Sequence, residues 1–161
     1  LLVLRPIKVG DAVDVGGTGG TVIEIRLFTT QLKTFDGIFI SMPNSQVWGS
    51  TIKNFSYFPT RRVDLTIGIG YSDDIDMKEI IASDDRILED PEPVVMVLSL
   101  GDSSVNLGMR FWGKREDYWD LIWKTTKQVK LRFDQENISI PFPQRDIHII
   151  GDAPKVEDSS R

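Results

Sequence analysis

The hydrophobic period of the chain changes at Tyr57-Phe58-Pro59-Thr60, and that change limits the folds open to it. Before it, short apolar–polar alternations are separated by glycine-bearing turns. After it, alternating segments are interleaved with helical ones. Ala12-Val13-Asp14-Val15 reads as a strand and Gly16-Gly17-Thr18-Gly19-Gly20 as a turn. Thr21 to Thr30 reads as one longer strand, in which Ile23, Ile25 and Leu27 alternate with Glu24 and Arg26, the period of a half-buried strand. Gln31–Phe35 and Ile38–Met42 flank Asp36-Gly37, a hairpin signal in which both turn positions need positive φ. Pro43 ends the second of these strands, and Asn44 is positioned to cap a single helical turn over Ser45–Gly49. Thr51–Phe55 completes the set. Five short strands of this kind predict a small, bent β-barrel over residues 5–58.

Residues 59–150 read as β-α-β-β-α-β, the ferredoxin-like order. Arg61–Ile69 places Val63, Leu65, Ile67 and Ile69 on one face. Asp73–Ala82 is a short helix. Val94–Leu100 and Ser104–Trp112 form a hairpin about Gly101-Asp102, with Val105, Leu107, Met109 and Phe111 alternating. Glu116–Glu136 is the strongest helix, with Trp119, Ile122, Thr126, Val129 and Phe133 on one arc. Glu116, Asp117 and Asp120 open it and Lys127, Lys130 and Arg132 lie toward its end, an order that complements the helix dipole. Asp146–Ile150 is the final strand, and residues 151–161 form a polar, acidic tail. The expected fold is therefore mixed β and α+β: an Sm/SH3-like five-stranded β-barrel domain followed by a ferredoxin-like α+β domain.

Composition narrows function mainly by exclusion. There is no cysteine, so disulfides and cysteine-ligated zinc are ruled out. The net charge of −5 argues against nonspecific nucleic-acid binding, which needs clustered Lys and Arg to displace counterions. No apolar run approaches the roughly 18–20 residues that cross a bilayer as a helix. Leu1-Leu2-Val3-Leu4 lacks a basic flank and a cleavage-like site, and reads as the end of an upstream apolar segment.

Three stretches carry a family resemblance. Pro43-Asn44-Ser45-Gln46-Val47-Trp48-Gly49-Ser50-Thr51-Ile52-Lys53-Asn54-Phe55-Ser56 follows the strand Ile38-Phe39-Ile40. Arg5-Pro6-Ile7-Lys8-Val9-Gly10-Asp11 stands upstream, and Ile140-Pro141-Phe142-Pro143-Gln144 stands downstream. In this order they resemble the signature of the small-conductance mechanosensitive channel family. The resemblance implies the cytoplasmic region of a channel subunit, in a homo-oligomer that is commonly a heptamer, at the cell inner (plasma) membrane. It implies that transmembrane helices lie upstream and contact the bilayer, and that ions and small osmolytes are released on hypo-osmotic shock. It places Pro43, Asn44, Val47 and Trp48 where subunits meet under the gate, with Asn54 and Phe55 in the same signature. Arg5, Pro6 and Lys8 fall where the pore helix joins the barrel, or face lipid headgroups and solvent. The segment Tyr71–Arg86 is short of the family pattern by about a turn or more of helix, at 3.6 residues per turn. Either the helix is a stub or residues are missing from the sequence.

Other candidate sites read as structural. The glycine run is followed by a strand, not by the helix N-terminus that a phosphate loop needs. Asp73, Asp74 and Asp76 lack the glycine hinge and distal glutamate of a calcium loop, and suit a helix cap. His148 stands alone, with no nucleophile or metal partner. Tyr118, Trp119 and Trp123 read as core by helical phase rather than as a base-stacking platform. No catalytic residue, metal ligand or cofactor is expected, and the chain is not read as an enzyme. Two readings from other classes are a nucleic-acid-binding module and a ligand-binding regulatory domain.

Overall fold

The computed structural model describes residues 6–73, 75–138 and 140–147. The first half forms β1 (Ala12–Val15), β2 (Thr18–Ile25), β3 (Thr29–Lys33), β4 (Phe39–Pro43), α1 (Asn44–Gly49) and β5 (Ile52–Asn54). They make one sheet in the order β4-β3-β2-β1-β5, each neighbour antiparallel. The sheet curls around Ile7, Val13, Val15, Val22, Leu32, Met42 and Val47.

Its turns differ from expectation in three places. The β1–β2 connection is only Gly16-Gly17, at φ 58° and 91°, so Thr18–Gly20 belong to β2. Both positions need the left-handed region, which glycine enters at no steric cost. The supposed strand Thr21–Thr30 breaks after Ile25, and β3 begins at Thr29. Its alternating apolar residues face outward: Ile23 and Ile25 are exposed and Leu27 is 82% exposed, while Val22 goes inside. Val22 holds the inward phase of the strand, which leaves Ile23 on the outer face, and the pairing register with β3 shifts between Val22 and Glu24. The β3–β4 connection is longer than the Asp36-Gly37 pair. Thr34 N–H bonds Ile38 O at 2.8 Å, Gly37 N–H bonds Thr34 O at 2.9 Å, and of the pair only Gly37 has positive φ.

The second half forms β6 (Thr60–Ile69), α2 (Lys78–Ala82), β7 (Val94–Leu100), β8 (Val105–Lys114), a 3-10 turn (Arg115–Asp117) and α3 (Tyr118–Glu136). The sheet order is β6-β8-β7, all antiparallel. As the alternation predicts, Val63, Ile69, Leu107, Met109 and Phe111 are buried. α2 is a stub of five residues, and the expected Asp73–Ala82 helix loses its first turns. Asp76 bonds Lys78 N–H at 2.9 Å, while Asp74 lies outside the described residues. Asp146 and Ile147 lie in no strand, and His148–Ile150 of the expected last strand fall outside the described residues, as does the 151–161 tail. Pro141 and Pro143 lack the N–H that a ladder requires.

The largest correction concerns α3. Its buried face is Leu121, Thr125, Val129 and Phe133, with Ile122 beside it, and Trp119 and Trp123 are 59% and 65% exposed. The two indoles stack on each other at 6.1 Å. The rotation follows from Gly113: a Cβ there would overlap Leu121 Cδ1, so Leu121 fills the space that glycine leaves on β8. Lys130 and Arg132, expected to serve the helix dipole, pair with Asp134 and Glu136 one turn on. Arg132 also reaches Glu79 of α2 at 3.0 Å.

Asp84 is 6% exposed and fastens the loop before β7 to α3. It accepts Arg86 Nε at 2.9 Å, Arg86 Nη2 at 2.8 Å and Lys124 Nζ at 2.8 Å. The Arg86 guanidinium beside it holds its carboxyl well below the usual carboxylate range, against the opposing effect of burial and with further help from Lys124.

Two predictions follow from this packing. Gly113→Ala forces Leu121 out of its seat, and overpacking of this kind costs about 1–3 kcal/mol, read as a lower denaturation midpoint. Because the folded-state pKa of Asp84 is depressed, its contribution is complete above about pH 5 and is lost progressively as pH falls below that, through the unfolded-state pKa and toward the lower folded-state one. The parent protein therefore loses thermal stability more steeply than Asp84→Asn between about pH 5 and pH 3. Parallel pH–melting curves would contradict this.

Candidate functional site

The residues of the Pro43–Ser56 segment do not gather into a chemical centre; they form two structural ties and an apolar rim. The first tie is Asn44. It does not cap α1, which has Pro43 at its N-cap and no side-chain cap bond. Its carboxamide nitrogen instead donates to Arg26 O at 2.9 Å and Leu27 O at 3.0 Å, and its oxygen accepts the Thr30 hydroxyl at 2.8 Å. Its backbone N–H bonds Phe28 O at 2.8 Å. Asn44 thus substitutes for the local turn chemistry that Arg26-Leu27-Phe28 lacks. An Asn directly after a strand-ending Pro signals a cap; nothing local signals partners 14 to 18 residues back.

The tie holds apolar groups out in solvent. Leu27 is 82% exposed and Phe28 is 76% exposed, and exposed Pro43 pairs with Thr29 across the β3–β4 ladder. On α1, Val47 is buried in the core of the sheet and Trp48 is exposed. Phe35, Ile38 and Phe39 extend the exposed apolar surface of the β3–β4 hairpin. The expected interface set therefore splits: Pro43 and Trp48 are available at the surface, and Asn44 and Val47 position them.

The second tie is Asn54. Its nitrogen donates to Pro6 O at 2.7 Å and Asp11 Oδ2 at 2.8 Å, and its oxygen accepts Ser56 N–H at 2.8 Å. Asp11 Oδ2 also takes Lys8 N–H at 2.9 Å. The segment before β1 is therefore stapled to β5. Pro6 is held by its carbonyl, Lys8 by its backbone with an exposed residue, and Arg5 lies outside the described residues. Phe55 bonds Ala12 O through its N–H at 2.9 Å and lies under the Arg61 guanidinium at 5.0 Å.

Among the described residues no group of three or more His, Cys, Asp or Glu is arranged to hold a metal, and no helix is long and apolar enough to cross a membrane. A cleft of about 740 Å³ lies between α2 and the loop before β7, lined by Ile81, Ile87, Leu88, Asp85, Glu89 and Glu92. It is remote in sequence from the Pro43–Ser56 ties.

With this geometry in hand, comparison with known proteins is specific. A family model for the beta-domain of mechanosensitive ion channels matches residues 1–57, and one for the C-terminal part of the MscS mechanosensitive ion channel matches residues 63–140. A small-conductance mechanosensitive channel of Edwardsiella ictaluri is 38% identical over 154 residues, covering 92% of this chain and 54% of the relative. An uncharacterised MscS family protein of Synechocystis is 39% identical over 155 residues, covering 93% and 52%. The crystal structure of Helicobacter pylori MscS in its closed state superposes with TM-score 0.85 at 30% identity, covering 94% of this chain and 62% of that one. Arabidopsis thaliana MSL1 shares the fold at TM-score 0.70. The chain spans about half the length of the curated relatives it matches.

Asn44→Ala strands buried Thr30 and frees the turn. Leaving such groups unpaired costs about 1–3 kcal/mol, read as a lower urea midpoint. Asn44→Asp is at least as damaging, since a carboxylate then faces the Arg26 and Leu27 carbonyls. An unchanged midpoint in both variants contradicts the tie.

Proposed function

The chain belongs to the mechanosensitive ion channel family, and we propose that it forms the cytoplasmic vestibule of a channel subunit at the cell inner membrane. The observation that carries this reading is the family match across both halves of the chain in order, together with the superposition on a solved family member. The relatives are named as channels rather than enzymes. In this reading residues 5–58 are an Sm/SH3-like barrel and 59–150 a ferredoxin-like domain. Helices upstream of the chain meet the bilayer, sense its tension and line the pore. The vestibule assembles as a ring of seven and filters the ions and small osmolytes released on hypo-osmotic shock.

The exposed rim of the first sheet supports assembly. Monomeric soluble proteins rarely leave large contiguous apolar patches in water, and here Leu27, Phe28, Phe35, Phe39 and Trp48 are all more than half exposed. A cyclic ring uses two different patches of each subunit, so rim residues of one copy meet another surface of the next. Pro43 and Trp48 are the contacting residues in this proposal, supported by Asn44 and Val47. The Pro6–Lys8 segment and Asn54–Phe55 lie below the pore. A net charge of −5 weighs against the nucleic-acid reading.

Light scattering on size-fractionated protein, over a range of concentrations, tests the ring. The expected species contains about seven chains of 18.2 kDa each. Trp48→Asp shifts it toward smaller species while its circular dichroism is retained. An unchanged mass for the variant removes Trp48 from the interface. A chain that stays monomeric at all concentrations, even when grafted onto a relative's pore helices, overturns the assembly.

A further inference from the structure

The two cores share no residue, and none of Phe55–Pro59 belongs to either. Cation–aromatic contacts and hydrogen bonds join the halves beyond the backbone. The Arg61 guanidinium, at the start of β6, lies over two rings, 5.0 Å from the centroid of Phe55 in the first half and 3.5 Å from that of Tyr118 in the second. Phe55 is fixed to β1 by its N–H to Ala12 O. Tyr118 opens α3 and packs against the second core. Arg61 is half-buried and makes no ion pair among the described residues, so the two rings are what its guanidinium stacks on. Arg115 adds a second strap: its N–H bonds Pro59 O at 3.0 Å and its guanidinium bonds Ser56 O. Ser56 is itself held by Ala12 N–H at 3.0 Å. Between these straps Tyr57 and Phe58 stand in solvent, edge to face at 5.1 Å.

We infer that Arg61 is a latch between the two halves: seated between Phe55 and Tyr118 it fixes their angle, and unseated it lets Phe55–Pro59 act as a hinge. Domains joined without a large apolar interface move relative to each other by default. A cation over aromatic rings is a contact weak enough to open and specific enough to reclose in one place. A guanidinium suits the position because it is flat, always charged and able to stack on both faces. The inference concerns the joint alone and stands whether or not the chain assembles into a channel.

Limited chymotrypsin digestion of the 161-residue chain reads the hinge directly, since the Tyr57–Phe58 bond is its own target, Pro59 protects the bond after Phe58, and mass spectrometry identifies the cut. When opening is fast relative to cleavage, the rate follows the open population. Arg61→Gln is expected to raise cleavage at 57–58 about 5- to 10-fold, with the midpoint of global unfolding unchanged. Arg61→Lys, which keeps charge and loses the flat stack, falls between. Phe55→Leu gives a similar rise, and the double variant is no faster than either single one. Parent-like cleavage in Arg61→Gln, and also in Arg61→Gln with Arg115→Gln, overturns the latch. So does an acceleration matched by an equal loss of global stability, or additive effects in the double variant.

Discussion

The Asn44 carboxamide serves two backbone carbonyls and a buried hydroxyl at once, and the shape of the first sheet depends on it. The sheet must reverse direction at Arg26-Leu27-Phe28 with no glycine, proline or asparagine to make the turn. Side chains usually supply such turns from within. Here the supply comes from the far end of the next hairpin, so the β2–β3 turn and the β4–α1 junction form only together. Val47, one turn further along α1, then closes the core beneath them. The exposed rim is a product of the same arrangement, because the residues that ride on the turn have nothing of their own chain left to pack against.

That dependence explains which parts of the fold can be read from the residues. The alternation of Val63 to Ile69 and of Val105 to Phe111 gives two strands and their buried face directly, since nothing interrupts the period. The Gly16-Gly17 and Gly37 turns are legible because positive φ is a local demand. The β2–β3 break is not, because Ile23, Ile25 and Leu27 carry the period straight through it. The rotation of α3 is equally hidden: two arcs of the helix are apolar, and the choice between them is made by the space at Gly113, on a different element. Trp119 and Trp123 fall on the losing arc. In the candidate site the positions of Asn44 and Asn54 were marked by motif, yet their roles lay in long-range hydrogen bonds, and the expected cap was absent.

The two halves are built on different terms. The second has a large core with a long helix, Phe111, Leu121 and Phe133 at its centre, and the Asp84–Arg86–Lys124 cluster fastening its loop. The first relies on small β-branched residues and on carboxamides, with few large side chains inside. Its stability is therefore more sensitive to the geometry of a few polar bonds, and its surface carries more of the apolar groups that a second molecule could cover.

The staple between Asn54 and the chain ahead of β1 has a mechanical meaning. Pro6 O is bonded to β5, Gly10 N–H and Asp11 O are bonded to Val22 of β2, and Ile7 is buried between. A pull on the chain at Pro6 thus loads strands on both sides of β1 at the same moment, through bonds arranged in parallel. Bonds loaded in this way share a force and fail together, whereas a zipper yields one rung at a time. The first half is attached to whatever precedes it by a rivet rather than a thread, and displacement at that end is delivered to the sheet as a whole.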